Sequence, residues 1–178
     1  DTAGAAGVAG PMAWGWRGVG ITGGVKVAVA EPIVALGRSY TGIGDADFGL
    51  YRAAQTEPGP FLSDSLNASV DFHLTRAAAT FETAGRSESA SVERGALTID
   101  FARRTFATGL QLSSASGARA ELRAGGQLGN NGIFAVRDSE QVVAGAVSSN
   151  GNEAAYLFQR GFGGGLFKGR TLWGAGTG

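Results

Sequence analysis

The single histidine of the chain, His73, is the first side chain to consider for chemistry. It lies in SVDFHLTR (69–76), where alternation places it with Asp71 and Thr75 on the polar face of a strand. A metal site built on it would need further ligands, and the chain has no other His and no Cys. A Ser-His-Asp triad lacks support because no G-x-S-x-G motif is present. The pattern therefore predicts a polar surface residue.

Carboxylates are plentiful, but their spacing singles out no catalytic pair. A glycosidase needs two carboxyl groups at a set separation, and the acidic residues of this chain offer many pairs. The stretch GDADFG (44–49) has two Asp two residues apart, as calcium loops do, yet it lacks the Glu that such a loop needs downstream. We therefore predict no catalytic residue and no metal ligand. The acidic residues considered are Asp45, Asp47, Asp71, Asp100, Glu121, Asp138, Glu140 and Glu153.

The stretch GVGITG (18–23) matches the G-x-G-x-x-G pattern of dinucleotide-binding proteins. That pattern binds phosphate only between a strand and a following helix. The residues that follow, GVKVAVAEPIV, are rich in Val and contain Pro32, which makes them poor helix formers. The pattern is better explained by glycine at a β-turn, and we predict no cofactor.

Composition excludes several classes of protein. The 178 residues carry 15 basic and 15 acidic side chains in scattered positions, so no concentrated basic face is available for nucleic acid or an anionic membrane. No apolar run approaches the roughly 20 residues that a membrane-spanning helix needs. The first residues, DTAGAAGVAG, lack the signal-peptide pattern and are expected to be a mature start.

Period-2 alternation is the dominant pattern of the chain, and it predicts β-strands. In ARAELRA (118–124), for example, Leu122 and its alanine neighbours alternate with Arg119, Glu121 and Arg123. Asn131-Gly132 and Asn150-Gly151 supply the positive φ angles that tight hairpin turns require. The predicted strand segments are SVDFHLTR (69–76), LTIDFARRTFATGLQLSS (97–114), ARAELRA (118–124), GIFAVRD (132–138), QVVAGAVSS (141–149), EAAYLFQR (153–160) and GLFKGRTLW (165–173).

These patterns predict an all-β fold, an antiparallel up-and-down barrel of about eight strands, because closure removes the unpaired edges of a sheet. Residues 1–178 are expected to form one domain, with a less regular β segment over 1–60 and the barrel meander over 61–173. Within it, residues 95–173 are read as about six strands joined by hairpins. Apolar side chains, including Ile99, Leu110 and Leu122, should fill the interior and polar ones should face outward. Trp14 and Trp16 are expected to approach Trp173 and help to fill the core.

The C-terminal half resembles a known bacterial domain. LTIDFARRTFATGL, GIFAVRD, VAGAVSSNGNEAAYLFQ and GGGLFKGRTLW are similar to the C-terminal β-barrel of transferrin-binding-protein-B-like proteins and of some FecR-type regulators. The resemblance covers about 80 of the 178 residues and implies an eight-stranded barrel that binds without catalysis in a Gram-negative envelope. The chain lacks the anchoring Cys of the lipoproteins and has SSNGNEA where they carry an aromatic-Gly-Pro element. No binding residue is carried over.

The sequence therefore predicts a non-enzymatic binding module in the periplasm, on the outer-membrane surface or outside the cell, with a link to iron uptake or signalling. Its partner would be a protein or a small molecule, not nucleic acid. The outward charges of ARAELRA argue against a membrane-spanning barrel. Two alternatives stay open, a structural subunit in which copies associate through strand edges and a glycan-active enzyme. Because loops at a barrel end are free of packing constraints, the candidate binding residues are Asp45, Asp47, Asn150, Asn152 and Glu153.

Overall fold

The structure is a computed structural model that describes residues 11–16, 28–30, 38–44, 48–53 and 59–176. Every regular element in these ranges is a β-strand, which confirms the predicted all-β class. The strands are β1 (Met12–Trp16), β2 (Ala28–Ala30), β3 (Arg38–Gly44), β4 (Phe48–Ala53), β5 (Ser69–Thr83), β6 (Arg86–Asp100), β7 (Thr105–Ser114), β8 (Arg119–Gln127), β9 (Ile133–Arg137), β10 (Gln141–Val147), β11 (Glu153–Phe162) and β12 (Gly165–Ala175). The GVGITG stretch lies outside the described residues.

Strands β5 to β12 form a nearly closed antiparallel barrel, as predicted. Each strand pairs with its neighbour in sequence except β8 with β9, and the first and last strands pair with each other, from Glu82 with Leu166 to Phe72 with Ala175. Strand β5 continues beyond the predicted segment 69–76 and ends at Thr83. A hairpin turn that the sequence did not predict lies at Ala84-Gly85. Strand β6 therefore begins at Arg86, before residue 95, where the predicted group of about six strands starts.

Both Asn-Gly pairs lie in turns, but only the glycine of each pair has a positive φ, so neither is the two-residue hairpin turn that the sequence predicts. The pair Asn131-Gly132 moreover connects β8 and β9, which share only one bridge. Gly132 has a φ of 79° and Gly151 has a φ of 74°. Residues with a Cβ adopt such backbone angles only at a cost in conformational energy. The connection between β6 and β7 instead places Arg104 at a φ of 56°, the only positive φ of a non-glycine residue among the described residues. Local turn chemistry therefore sets the order in which most barrel strands pair.

The barrel closes at a seam between β8 and β9, where main-chain pairing shrinks to one bridge between Leu128 and Phe134. Side chains complete the seam further along β8. The Gln141 amide accepts a hydrogen bond from Arg123 N–H at 3.3 Å through Oε1 and donates to the Arg123 carbonyl through Nε2. The Arg160 guanidinium donates to the Glu121 carbonyl at 2.8 Å. Side chains of β10 and β11 thus satisfy the backbone of β8 where a neighbouring strand is absent.

The barrel interior is packed with apolar side chains. Ile99 and Leu122 are fully buried and Leu110 is 1% exposed, which confirms the predicted inward face. Trp173 is also buried and stacks on Tyr156 with 5.6 Å between the ring centroids. Aromatic and aliphatic residues from all eight strands therefore share one dry core.

A short polar network crosses this core. The Thr108 hydroxyl donates to the Ala96 carbonyl at 2.8 Å and lies 2.6 Å from the Tyr156 hydroxyl, which must then donate to it. Burial raises the pKa of Tyr156 above its ordinary value. Trp173 Nε1 donates to Thr171 Oγ1 at 2.7 Å, and the Thr171 hydroxyl donates to the Tyr156 carbonyl at 3.1 Å. The buried hydroxyls and the indole thus all have partners.

Thr108→Val is expected to cost about 1–3 kcal/mol, because it removes the acceptor of the buried Tyr156 hydroxyl. Adding Tyr156→Phe to that variant should recover the part of the loss that comes from the unsatisfied Tyr156 hydroxyl, while the Ala96 carbonyl still lacks the Thr108 donor. Urea unfolding of both single variants and the double variant measures the coupling. Additive losses in the double variant would contradict the pairing.

The second sheet, in the order β2-β1-β4-β3, covers part of the outer barrel wall. Its residues Met12, Trp14 and Leu50 pack against Ala146 and Ala155, which point out of the barrel. The expectation of a polar outer face is therefore wrong over β10 and β11. The expected placement of Trp14 beside Trp173 in the core is wrong as well. Trp14 lies on the outer side of β12 and donates to the Thr171 carbonyl at 3.0 Å.

His73, predicted to be a polar surface residue, is half-buried near the start of β5. Its Nδ1 lies 2.8 Å from the carbonyl oxygen of Gly176. The ring therefore ties the end of β12 to β5. No helix in the described part of the chain is long and apolar enough to span a membrane.

Candidate binding depression on the outer face of strands β6 to β8

The outward side chains of β6, β7 and β8 form three rows across the barrel wall. The pairing registers place Arg94 beside Gln111 and Gln111 beside Glu121 in the first row. The rows follow from alternation, since the residues between them point into the core. The second row is Ala96, Gly109 and Arg123, and the third is Thr98, Ala107 and Gly125.

These rows enclose an open depression of about 410 Å³. Its floor consists of small residues, Ala96, Ala107 and Gly109, of which both alanines are exposed. Its rim carries Arg94, Thr98, Gln111, Glu121 and Arg123. Small residues on three adjacent strands let a ligand approach the sheet closely, and the longer polar side chains surround it. We call this site the β6–β8 depression.

The charges of the rim are unevenly paired. Arg123 Nη2 and Glu121 Oε2 form an ion pair at 3.1 Å, and the hydrogen bond to Glu121 raises the pKa of Arg123. The Arg94 side chain is exposed and has no hydrogen-bond or ion-pair partner within the described ranges. One guanidinium at the rim therefore remains free to meet an anion.

The main chain of the middle strand of the depression, β7, is held on both sides. Strand β7 pairs with β6 and with β8 along the whole depression. At the outer edge, Gln141 binds the backbone of Arg123 and Arg160 binds the carbonyl of Glu121. The residues that carry the Arg123–Glu121 pair are thus fixed by the same contacts that close the barrel.

Of the loop residues predicted to bind a ligand, the described ones, Asn150, Asn152 and Glu153, do not line the depression. Asp45 and Asp47 lie outside the described residues. In the turn between β10 and β11, Asn150 Oδ1 accepts hydrogen bonds from the Ser148 hydroxyl at 2.7 Å and from the backbone N–H of Asn152 at 3.0 Å. The Asn150 side chain therefore has a role in holding the turn, while Asn152 is exposed beside it.

Glu153, the last predicted loop residue, connects the barrel to the second sheet. Its Oε1 accepts a hydrogen bond from Met12 N–H at 3.2 Å. Partial burial raises the pKa of Glu153, while the bond from Met12 and the charge of Arg38 oppose that shift. Its carboxylate thus contacts the covering sheet.

Glu153→Gln is expected to raise stability at pH 7 by less than about 1 kcal/mol, because it removes a partly desolvated charge and keeps the acceptor for Met12. Since the folded-state pKa is raised, wild-type stability should increase as pH falls from neutral through that pKa to the unfolded-state pKa. The Gln variant should lose this contribution. Glu153→Ala, which removes the acceptor, is the control and should cost about 1 kcal/mol. Thermal unfolding of the wild type and both variants from pH 7 to pH 4 tests these expectations. If Glu153 instead made the wild type less stable relative to the Gln variant as the pH falls, the raised pKa of Glu153 would be contradicted.

Only part of the depression was predictable from the sequence. Alternation places Glu121 and Arg123 on the outward face of β8, where their charges were taken as evidence against a membrane-spanning barrel. Arg94 and Gln111 were missed, because β6 was not predicted to extend before residue 95 and the register between strands was unknown. The sequence feature that could have indicated the depression is the run of small outward-facing residues in LTIDFARRTFATGL.

Fold and site together define an all-β protein with an eight-stranded antiparallel barrel, a covering sheet and a polar-rimmed depression on its outer wall. The described residues contain no cluster of three or more His, Cys, Asp or Glu side chains that could hold a metal ion. No protein-family model matches the chain, and no curated protein shows significant similarity to it.

Proposed function

We propose that this chain is a non-catalytic binding module of a Gram-negative cell envelope and that the β6–β8 depression is its binding site. The observation that carries the proposal is the unpartnered, exposed Arg94 at the rim of an open volume of about 410 Å³. Binding sites of small molecules are concavities of this size with a few polar groups that converge on them. The filled barrel interior supports a site on the wall.

The carboxylate content of the depression favours binding over glycan cleavage. Glycoside hydrolysis in most enzyme families needs two carboxyl groups across the scissile bond. The depression contains one, Glu121, and that carboxylate is held by Arg123 at 3.1 Å. Its rim is therefore better suited to holding a ligand than to acid–base catalysis.

The envelope location is proposed from the resemblance of the C-terminal half to the barrels of transferrin-binding-protein-B-like and FecR-type proteins. That resemblance also supports the proposed link to iron uptake or signalling. The residues that carry it, including the FARRT turn and the GGGLFKGRTLW strand, build the barrel, and the segment LTIDFARRTFATGL also contributes Thr98, Ala107 and Gly109 to the depression. The resemblance supports the scaffold, and the choice of the depression as the binding site is a separate proposal.

The alternative of a structural subunit assembled through strand edges is less well supported. An edge strand recruits another chain through unpaired main-chain groups. At the barrel seam, the side chains of Gln141 and Arg160 already bind the main chain of Arg123 and Glu121. Size-exclusion chromatography with light scattering is expected to show a monomer, and a stable larger assembly would favour this alternative.

Filling the depression tests the proposed function. Ala107→Trp places a large ring on the floor, and Ala135→Trp, on the exposed outer face of β9, is the matched control. Immobilised wild-type protein and the Ala135→Trp variant should retain the same small molecules or glycans from envelope extract, detected by mass spectrometry. The Ala107→Trp variant should retain at most about a tenth as much, a loss of about 1.4 kcal/mol. Equal retention by all three proteins would refute a site in the depression, provided that their circular dichroism spectra agree.

A further inference from the structure

We infer that the side chains of Gln141 and Arg160 protect an open strand edge on β8, and that this edge fits the same edge of a second copy of the chain. The inference goes beyond the proposed binding site, because it concerns another surface of the barrel. It depends on three features of the seam between β8 and β9: the unpaired main chain of β8, the way in which the two side chains occupy it, and the charges beside it.

Strand β8 is longer than the strand on the other side of the seam. It spans Arg119–Gln127, nine residues, whereas β9 spans Ile133–Arg137, five residues. In the described part of the chain, β8 pairs with β7 on one side, and on the other side only Leu128 forms a bridge, to Phe134. Residues 119–126 therefore present main-chain groups without a strand partner, which we call the β8 edge. Such an edge can bind another chain.

The Gln141 side chain occupies the β8 edge as a residue of a neighbouring strand would. Its amide accepts a hydrogen bond from Arg123 N–H at 3.3 Å and donates to the Arg123 carbonyl, which are the two bonds of an antiparallel pair. Arg160 donates to the Glu121 carbonyl, two residues along the same edge, at 2.8 Å. The Arg160 guanidinium is itself held by Glu140 Oε2 at 3.1 Å. Two side chains therefore satisfy main-chain groups that a second chain would otherwise bind.

The gap between β5 and β6 does not offer a comparable edge. Pairing of these strands stops after Phe72 with Leu97 and resumes, in the same register, at Ala79 with Ala90. Because the two strands are paired at both ends of the gap, another strand cannot enter it. The β8 edge, in contrast, continues without a strand partner to the end of β8 at Arg119.

The β8 edge is complementary to itself. Glu121 and Arg123 both direct main-chain groups toward it, so the odd-numbered residues hold its hydrogen-bonding positions. Antiparallel pairing of two copies about Leu122 places Glu121 of one copy opposite Arg123 of the other. Opposite charges in facing pairs stabilise antiparallel strands, and a two-fold axis repeats the pair. A second copy therefore fits this edge better than a segment that carries charges of one sign.

Removal of both side chains tests the inference by light scattering. The wild type is expected to be a monomer of 18.0 kDa, and the double variant Gln141→Ala/Arg160→Ala should form dimers of twice that mass. The matched control, Gln111→Ala/Arg76→Ala, removes the same residue types from exposed positions outside the seam and should remain a monomer. A double variant that is folded by circular dichroism and stays monomeric would overturn the inference, and so would a wild type that already assembles.

Disulfide cross-linking tests which edge pairs. The chain contains no cysteine, so Glu121→Cys and Arg123→Cys can be introduced separately into the double variant. Facing residues of antiparallel strands lie within the reach of a disulfide. A mixture of the two proteins should therefore form more cross-linked dimer than either protein alone. Equal cross-linking in the unmixed samples would show that the copies associate in another register or elsewhere, and would overturn the pairing of the β8 edges.

Hydrogen exchange of the wild type gives a test that does not depend on the folding of the double variant. After correction for intrinsic rates, Arg123 N–H, which donates to Gln141, should exchange at least about tenfold more slowly than Glu121 N–H, which faces the same edge. Gln141→Ala alone should remove this difference. Equal exchange of both amides in the wild type would show that Gln141 does not protect the edge. None of these results bears on retention by the β6–β8 depression, so the inference and the proposed function fail separately.

Discussion

Gly145→Ala is expected to destabilise the barrel by about 3 kcal/mol, the upper end of the usual range for overpacking. Gly145 pairs with Tyr156 in the β10–β11 ladder. A Cβ built on Gly145 would overlap the carbonyl oxygen of Ala155 and lie 2.7 Å from the Cα of Tyr156. Both obstacles are backbone atoms, so the ladder itself would have to move. Gly169 meets the backbone of β5 in a similar way.

The matched control is Gly109→Ala on β7, in another part of the same barrel. There a new Cβ would lie 3.5 Å from the carbonyl oxygen of Leu122, which is ordinary contact. Since Ala in a strand loses less conformational entropy on folding than Gly, this variant should match or exceed the wild type by up to about 1 kcal/mol. Urea unfolding of the three proteins gives the comparison. Equal losses for both variants would contradict the close approach of β10 and β11.

Trp173→Ala has the other large expected effect, a loss of about 3–5 kcal/mol. The side chain is 1% exposed, stacks on Tyr156 and donates its indole N–H to Thr171. Its removal leaves a cavity in the barrel and takes the indole partner from the Thr171 hydroxyl. The surrounding strands are tied by ladder hydrogen bonds and can collapse only in part. A marginally stable domain would be mostly unfolded after such a loss.

Truncation of an exposed aromatic residue is the control for this prediction. Phe162 is 43% exposed near the end of β11, and Phe162→Ala should change stability by about 0.5 kcal/mol or less. The stability of Trp173→Phe should lie between those of Trp173→Ala and Phe162→Ala, because this variant keeps the ring contact and loses the indole N–H. Calorimetry or urea unfolding orders the three variants. A Trp173→Ala variant as stable as Phe162→Ala would show that Trp173 does not fill the core.

The fold was largely readable from local patterns in the sequence. In ARAELRA, alternation identified Leu122 as an interior residue and Arg123 as an exterior one, and both assignments are confirmed. Asn150-Gly151 marked a tight turn because a positive φ is a property of the residues at that point. Where the local signal was weak, as at Ala84-Gly85, the hairpin was missed. The prediction of a polar outer face is wrong only over β10 and β11, where the second sheet covers the barrel.

Much less of the candidate site than of the fold could be predicted from the sequence. Arg94, Gln111 and Glu121 are separated along the chain and become neighbours through two independent strand registers. A shift of one residue in either register would turn a side chain of the row into the core. The loops chosen as binding segments followed the general tendency of loops to carry function, whereas Asn150 and Glu153 form contacts within the protein.

By itself, the amino-acid sequence determined the strand class, most of the turns and which side chains face the barrel interior, because these depend on alternation and on backbone preferences of a few adjacent residues. Three features depend on the tertiary structure alone. They are the seam that the side chains of Gln141 and Arg160 close, the position of Trp14 on the outer side of β12 and the polar rim around Arg94. Each of these depends on contacts between distant segments. Their geometry is set by strand register and packing, which no local pattern encodes.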